Sequence, residues 1–185
     1  MNAKRIWLVI PAASAIYLLL FSLVLIFFSP EIPYIMEHVF KNNALILLLV
    51  VLLYGLVAAC TTIICFILAM VKKWDATSLA KTVMIVKIVQ FPAYAITLVL
   101  AVIFLITIFT WPLSILMGFC AYFSLMMTGF LQSAAVILAM REKKVRFRNS
   151  FWVILLQFIY CANLVASIIF YVKLRNITKK HMNLL

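Results

Sequence analysis

The sequence predicts an all-α, polytopic transmembrane helical bundle of five spans. Three observations carry this. The chain is 69% hydrophobic and only 11% charged, with a mean hydropathy of +1.26, whereas soluble domains run near half apolar and a quarter charged. It holds five apolar runs, each at least as long as the ~20 residues needed to cross a ~30 Å hydrocarbon core. The runs do not alternate apolar with polar residues, as a lipid-facing barrel strand would. Residues 1–185 read as a single integral membrane domain with spans over 6–28, 44–70, 83–109, 113–140 and 151–172.

Span 1 follows Lys4 and Arg5. A basic start and a greasy run could mark a signal peptide, but the run is long for one and FFSPE offers no small-x-small cleavage site. It is read as retained. Pro30 and Pro33 stop it. From Pro33 onward a short interfacial helix is expected, with Ile35, Met36, Val39 and Phe40 on one side and Glu37, His38 and Lys41 facing water or head groups.

Span 2, Ala44–Met70, has Ala58, Thr62, Cys65 and Ala69 on one face, with Tyr54 and Gly55 at its edges; small residues at this spacing let helices approach closely. VKKWDATSLAK (Val71–Lys81) is expected to be a loop, with Trp74 at the membrane interface. Span 3, Val83–Phe109, contains Pro92, which leaves the Ile88 carbonyl without its helical donor. Thr110, Trp111 and Pro112 make a short turn into span 4, Leu113–Met140. That span carries Ser114, Gly118, Ala121, Ser124, Thr128, Gln132, Ala135 and Ala139 within roughly 120° of its circumference. Span 5 is Phe151–Val172, with Tyr160, Asn163 and Ser167 on one face and Gln157 nearby. The tail KLRNITKKHMNLL is expected to fray.

One charge sits inside a span. Lys87, Gln90, Tyr94 and Thr97 fall within about 80° of one another on a helix. An ionisable residue within a span is a functional-site hypothesis, although near a helix end it can snorkel to the surface. Counted from the expected inner end of each span, Thr62, Gln90, Gln132 and Gln157 all lie roughly 10 Å deep. Lys87 would sit one turn shallower, at the mouth of a polar layer in which the three amides bond across helices. The candidate binding residues are therefore Thr62, Lys87, Gln90, Tyr94, Gln132, Gln157 and Asn163.

The net charge of +12 does not point to nucleic acid, because the basic residues lie in short segments between spans, where they set orientation. The partner they imply is the lipid bilayer, with another membrane protein as a second candidate. With the amino terminus cytoplasmic, the inner segments hold ten basic residues and the outer ones five. The carboxyl terminus then falls outside, which strands the basic tail on the wrong side.

Catalytic and cofactor motifs are absent. There is no HExxH, GxSxG, P-loop or GxGxxG, and three glycines leave little room for phosphate-cradling loops. Glu37 and His38 are adjacent and point to different sides of any helix. Cys60, Cys65, Cys120 and Cys161 lie in apolar runs without a CxxC spacing and read as buried apolar side chains. No metal, no cofactor and no enzymatic activity are expected.

Met36–Ala44 (MEHVFKNNA), Trp74-Asp75-Ala76, the Lys87/Gln90/Pro92/Tyr94 set, Gln157-Phe158 and Cys161-Ala162 resemble an uncharacterised family of small multi-spanning proteins from Gram-positive bacteria. The resemblance spans most of the chain. It implies a bacterial cytoplasmic membrane and no assigned activity. The function expected first is a non-enzymatic accessory, assembly or sensing subunit that works through helix contacts. The alternative is a small-solute or ion transporter using the polar layer around Lys87, Gln90, Gln132 and Gln157, and an intramembrane enzyme using Glu37 and His38 ranks last.

Overall fold

A computed structural model of the chain describes residues 9–27, 37–38, 40–41, 43–106, 111–145, 147–159 and 162–182. Among these described residues are six helices: α1 (Ile10–Phe27), α2 (Ala44–Val71), α3 (Ala76–Ile106), α4 (Trp111–Arg141), α5 (Phe147–Leu156) and α6 (Ala162–Met182). Three of the described helices are long and apolar enough to cross a membrane, over Leu45–Val71, Ala76–Ile106 and Trp111–Arg141. The apolar stretch of α1, Ile10–Leu23, is shorter. The expected interfacial helix falls mostly outside the described residues, as do Lys4, Arg5, Tyr160 and Cys161; Glu37 and His38 are both exposed.

Three features differ from expectation. Helix α3 begins at Ala76, not near Val83, because Asp75 caps it: Oδ2 accepts from Ser78 N at 2.7 Å, and the Asp75 carbonyl accepts from Leu79 N at 3.1 Å. It then runs through Pro92 without ending. The single helix expected over 151–172 is two helices. Helix α5 stops at Leu156, where Gln157, Phe158 and Ile159 donate to carbonyls three residues back at 3.1, 3.2 and 3.3 Å. Helix α6 continues through the expected frayed tail to Met182.

The direction of α6 follows from its contacts with α3. Thr178 meets Thr77 (Oγ1–Oγ1 3.2 Å), while Asn163 and Ser167 meet Lys87. The two helices are therefore antiparallel, and the end of α6 lies beside the α2–α3 turn. The core divides accordingly. One cluster, near that turn, joins Val9, Trp74, Leu79, Val83, Leu138 and Leu174. A second joins Ile16, Leu23, Ala93, Met117, Ala121 and Leu125 from α1, α3 and α4, with no described residue of α5 or α6 in it. The α5–α6 hairpin thus fills half the length of the bundle. Its first helix, ten residues, spans about 15 Å.

The turns at this end are tied together. Ala76 N donates to Glu142 Oε1 at 3.1 Å, and Lys144 reaches Glu142 at 2.7 Å and Asp75 at 3.4 Å. Burial pulls the Lys144 pKa down, but the hydrogen bonds and charges of Glu142 and Asp75 outweigh it and hold the ammonium above the ordinary lysine value. Lys73 and Lys143 close α2 and α4 in left-handed backbone, at φ 45° and 55°, and the next amides reach back to Ala69 O and Ala139 O at 3.2 and 3.0 Å.

Helix α4 is central. Its small-residue face, Ala121, Ser124, Thr128, Gln132 and Ala135, is buried. Ala58, Thr62, Cys65 and Ala69 of α2 are buried as well. The outer surfaces of α2, α3 and α6 instead carry large apolar side chains, among them Leu53, Leu56, Ile63, Val99, Ile103 and Ile169, each more than half exposed. Apolar surface on this scale suits lipid and not water.

Candidate functional site

Lys87 points into the bundle and is 3% exposed. The earlier start of α3 changes its depth. Eleven residues separate it from Ala76, about 17 Å along the axis, so it lies level with the α5–α6 break and not at the mouth of a layer. An ammonium has three N–H donors, and Lys87 finds three oxygens: Gln157 Oε1, Asn163 Oδ1 and Ser167 Oγ, the last at 2.9 Å. All three come from the break and the first turns of α6. The Ser167 hydroxyl also lies 3.0 Å from Gln157 Oε1 and 2.8 Å from the Asn163 carbonyl; its one proton serves one of them.

The partners are all neutral. The chain's four acids are Glu31, Glu37, Asp75 and Glu142. None lies in an apolar run, and Asp75, the nearest along α3, is about 18 Å away down the helix.

The expected layer of cross-bonded amides is not formed among the described residues. Gln90, fully buried, turns toward α1 and donates from Nε2 to Ala12 O at 2.8 Å. Tyr94 donates to Ser124 Oγ at 3.1 Å. Thr62 bonds its own helix at Ala58 O, 2.8 Å away. Gln132 is fully buried, and neither of its amide atoms has a partner; Gln90 Oε1 and Gln157 Nε2 are likewise without one. Of the seven candidates, Lys87, Gln157 and Asn163 therefore share one cage, while Thr62, Gln90, Tyr94 and Gln132 stand apart from it. Ser167 belongs to the cage and was missed as a candidate, although its i+4 spacing from Asn163 puts both on one face.

Gly129 of α4 seats the break. A Cβ there would lie 3.4 Å from Phe158 Cε1 and 3.5 Å from the Gln157 carbonyl oxygen. Gly129→Ala adds one methyl at ordinary contact distance and should leave the melting temperature in detergent unchanged or slightly raised. Gly129→Leu must push into the turn and should cost about 1–3 kcal/mol. Equal stability of the two variants would mean that the turn does not rest on α4.

Beside the cage, over the tip of the hairpin, is a cavity of about 180 Å³. Lys87, Tyr94 and Asn163 give it a polar end; Phe91, Leu98 and Leu125 line the rest. A larger groove of about 350 Å³ lies between α1, α2 and α4, lined by residues such as Ile16, Gly55 and Phe123. Among the described residues no group of His, Cys, Asp and Glu is placed to hold a metal ion.

No known protein family, no curated protein and no solved structure matches the chain. Fold and site define a class: an all-helical protein with membrane-length apolar helices and a caged lysine deep among them.

Proposed function

We propose that this is a non-enzymatic, multi-pass protein of the cell membrane that carries a small solute or ion, alone or as the membrane subunit of a larger carrier, with Lys87 at its working site. The observation that supports this most is the broken helix whose Gln157, Asn163 and Ser167 close on Lys87. Backbone leaves the helical form at membrane depth only where protein or a cavity surrounds it, and carriers build their sites at such breaks. A buried lysine is costly, and in a span it faces the protein interior and marks a ligand or ion path. The competing reading, an accessory subunit docking through small-residue faces, has less support, because those faces of α2 and α4 are buried within the chain itself.

The threading proposed with it is four crossings, α1 to α4, followed by a re-entrant α5–α6 hairpin. Both termini then lie on the side of the α2–α3 turn. Every lysine and arginine except Lys41 and Lys87 belongs to a segment on that side, which makes it the cytoplasmic one. The basic tail has a place in this arrangement that five crossings deny it.

The test is electrical. The full chain is reconstituted in liposomes on a supported membrane, and chloride, acetate and decyl sulfonate are applied as rapid concentration jumps. A current with at least one of them, reduced about tenfold or more by Lys87→Met, is expected. No current with any of the three, or the same current from Lys87→Met, overturns the carrier reading.

A further inference from the structure

We propose that the cavity over the hairpin tip binds an amphiphilic monoanion, with its charged head on Lys87 and its tail directed toward lipid. This deepens the carrier reading and rests on it for the role of Lys87. Three observations converge. First, among the described residues Lys87 has only neutral oxygens around it, and no acid of this chain lies in an apolar run. A buried cation without a counter-charge carries a desolvation cost that an incoming anion would offset. Second, Lys87 and Asn163 line the cavity, so the cage and the cavity meet. A head-group oxyanion would take one of the three ammonium donors in a charge-assisted bond, stronger than the bond to a neutral oxygen that it replaces.

Third, the cavity's shape selects the rest of the ligand. Its volume of about 180 Å³ equals roughly six water molecules at ~30 Å³ each, enough for a head and the first few carbons. Beyond Lys87, Tyr94 and Asn163 the walls are apolar, and two of the residues there, Phe91 and Leu98, are 54% and 51% exposed on the lipid-facing surface of α3. The open side of the cavity therefore faces the bilayer, and a longer tail leaves by that route. A small hydrophilic anion would satisfy the lysine but leave the apolar walls unfilled. A neutral amphiphile would fill the walls and leave the charge bare.

The probe is radiolabelled decyl sulfonate, whose head stays ionised. It is equilibrated with the full chain in nanodiscs and with empty nanodiscs of the same lipid. Saturable binding of one molecule per chain is expected, weakened about tenfold or more by Lys87→Met. Neither decanol, which has the tail alone, nor methanesulfonate, which has the head alone, should compete. Leu98→Trp fills the tail end without touching the cage and should abolish binding at an unchanged melting temperature. That variant decides the matter if Lys87→Met fails to fold. Competition by decanol, undiminished binding to folded Lys87→Met or Leu98→Trp, or no binding above empty nanodiscs overturns the proposal. Lys87-dependent chloride or acetate currents without decyl sulfonate binding overturn it and leave the carrier reading standing. Binding without any current does the reverse.

Discussion

Replacing Asn163 with leucine should destabilise the folded protein by about 3–5 kcal/mol, and adding Lys87→Met to the same chain should recover most of that loss. The asymmetry follows from which group is left without a partner. In Asn163→Leu the ammonium stays buried and loses one of its three oxygens, with no water-exposed position within reach at 3% exposure. In the double variant the charge is gone as well. Methionine approximates the volume of lysine and leucine has the branched shape of asparagine, and Gln157 Oε1 still has the Ser167 hydroxyl 3.0 Å away. Exchanging both members of a buried polar pair for apolar groups is close to neutral, whereas removing one is not. Unfolding midpoints of the two single variants and the double, in one detergent, give the coupling energy. Losses that simply add would show that Lys87 and Asn163 do not interact, and the cage would have to be abandoned.

The sequence makes much of this legible, and the failures are informative. The apolar runs mark α2 and α4 to within a few residues, because length and hydropathy are all that a membrane-length helix needs. The seam of Lys87, Gln90, Tyr94 and Thr97 is buried throughout, as the 3.6-residue period predicts. The break at Gln157 was not visible. Phe151–Val172 contains neither proline nor glycine, so nothing local ends the helix. What ends it is tertiary: a buried lysine on α3 that takes oxygens from Gln157, Asn163 and Ser167. The available signals were that polar set, clustered within eleven residues, and a basic tail that five crossings left on the wrong side. The amides failed for another reason. Equal depth on four helices says nothing of rotation, and Gln90 faces α1 while Gln157 faces Lys87.

A tag fused after Leu185 should be protected in intact cells, together with one near Lys144, while Lys41 should be open to an impermeant reagent. Five crossings require the opposite for the tail. The hairpin geometry leads to protection by three routes. Thr178 lies against Thr77, two residues from the cap of α3, so the end of α6 sits at the same end of the bundle as the α2–α3 turn. Helix α5 has ten residues, about 15 Å, half of a ~30 Å core; it reaches the level of Lys87 and no further. The core cluster of the far half, with Ile16, Ala93, Met117 and Leu125, contains no described residue of the hairpin. The charge distribution then acts in the same direction. Lys173, Arg175, Lys179 and Lys180 join the basic segments around Lys72 and Arg141, leaving Lys41 alone at the other end, and basic flanks resist translocation. The measurement is cysteine accessibility. All four native cysteines are replaced, single cysteines are placed at Lys41, Lys144 and Leu185, and intact cells are treated with a charged maleimide before and after permeabilisation. Labelling of position 185 before permeabilisation would send α6 across the membrane and dismantle the re-entrant hairpin. With it would go the closure of Gln157 and Asn163 on Lys87, since a helix running outward from residue 162 cannot also bring Thr178 to Thr77.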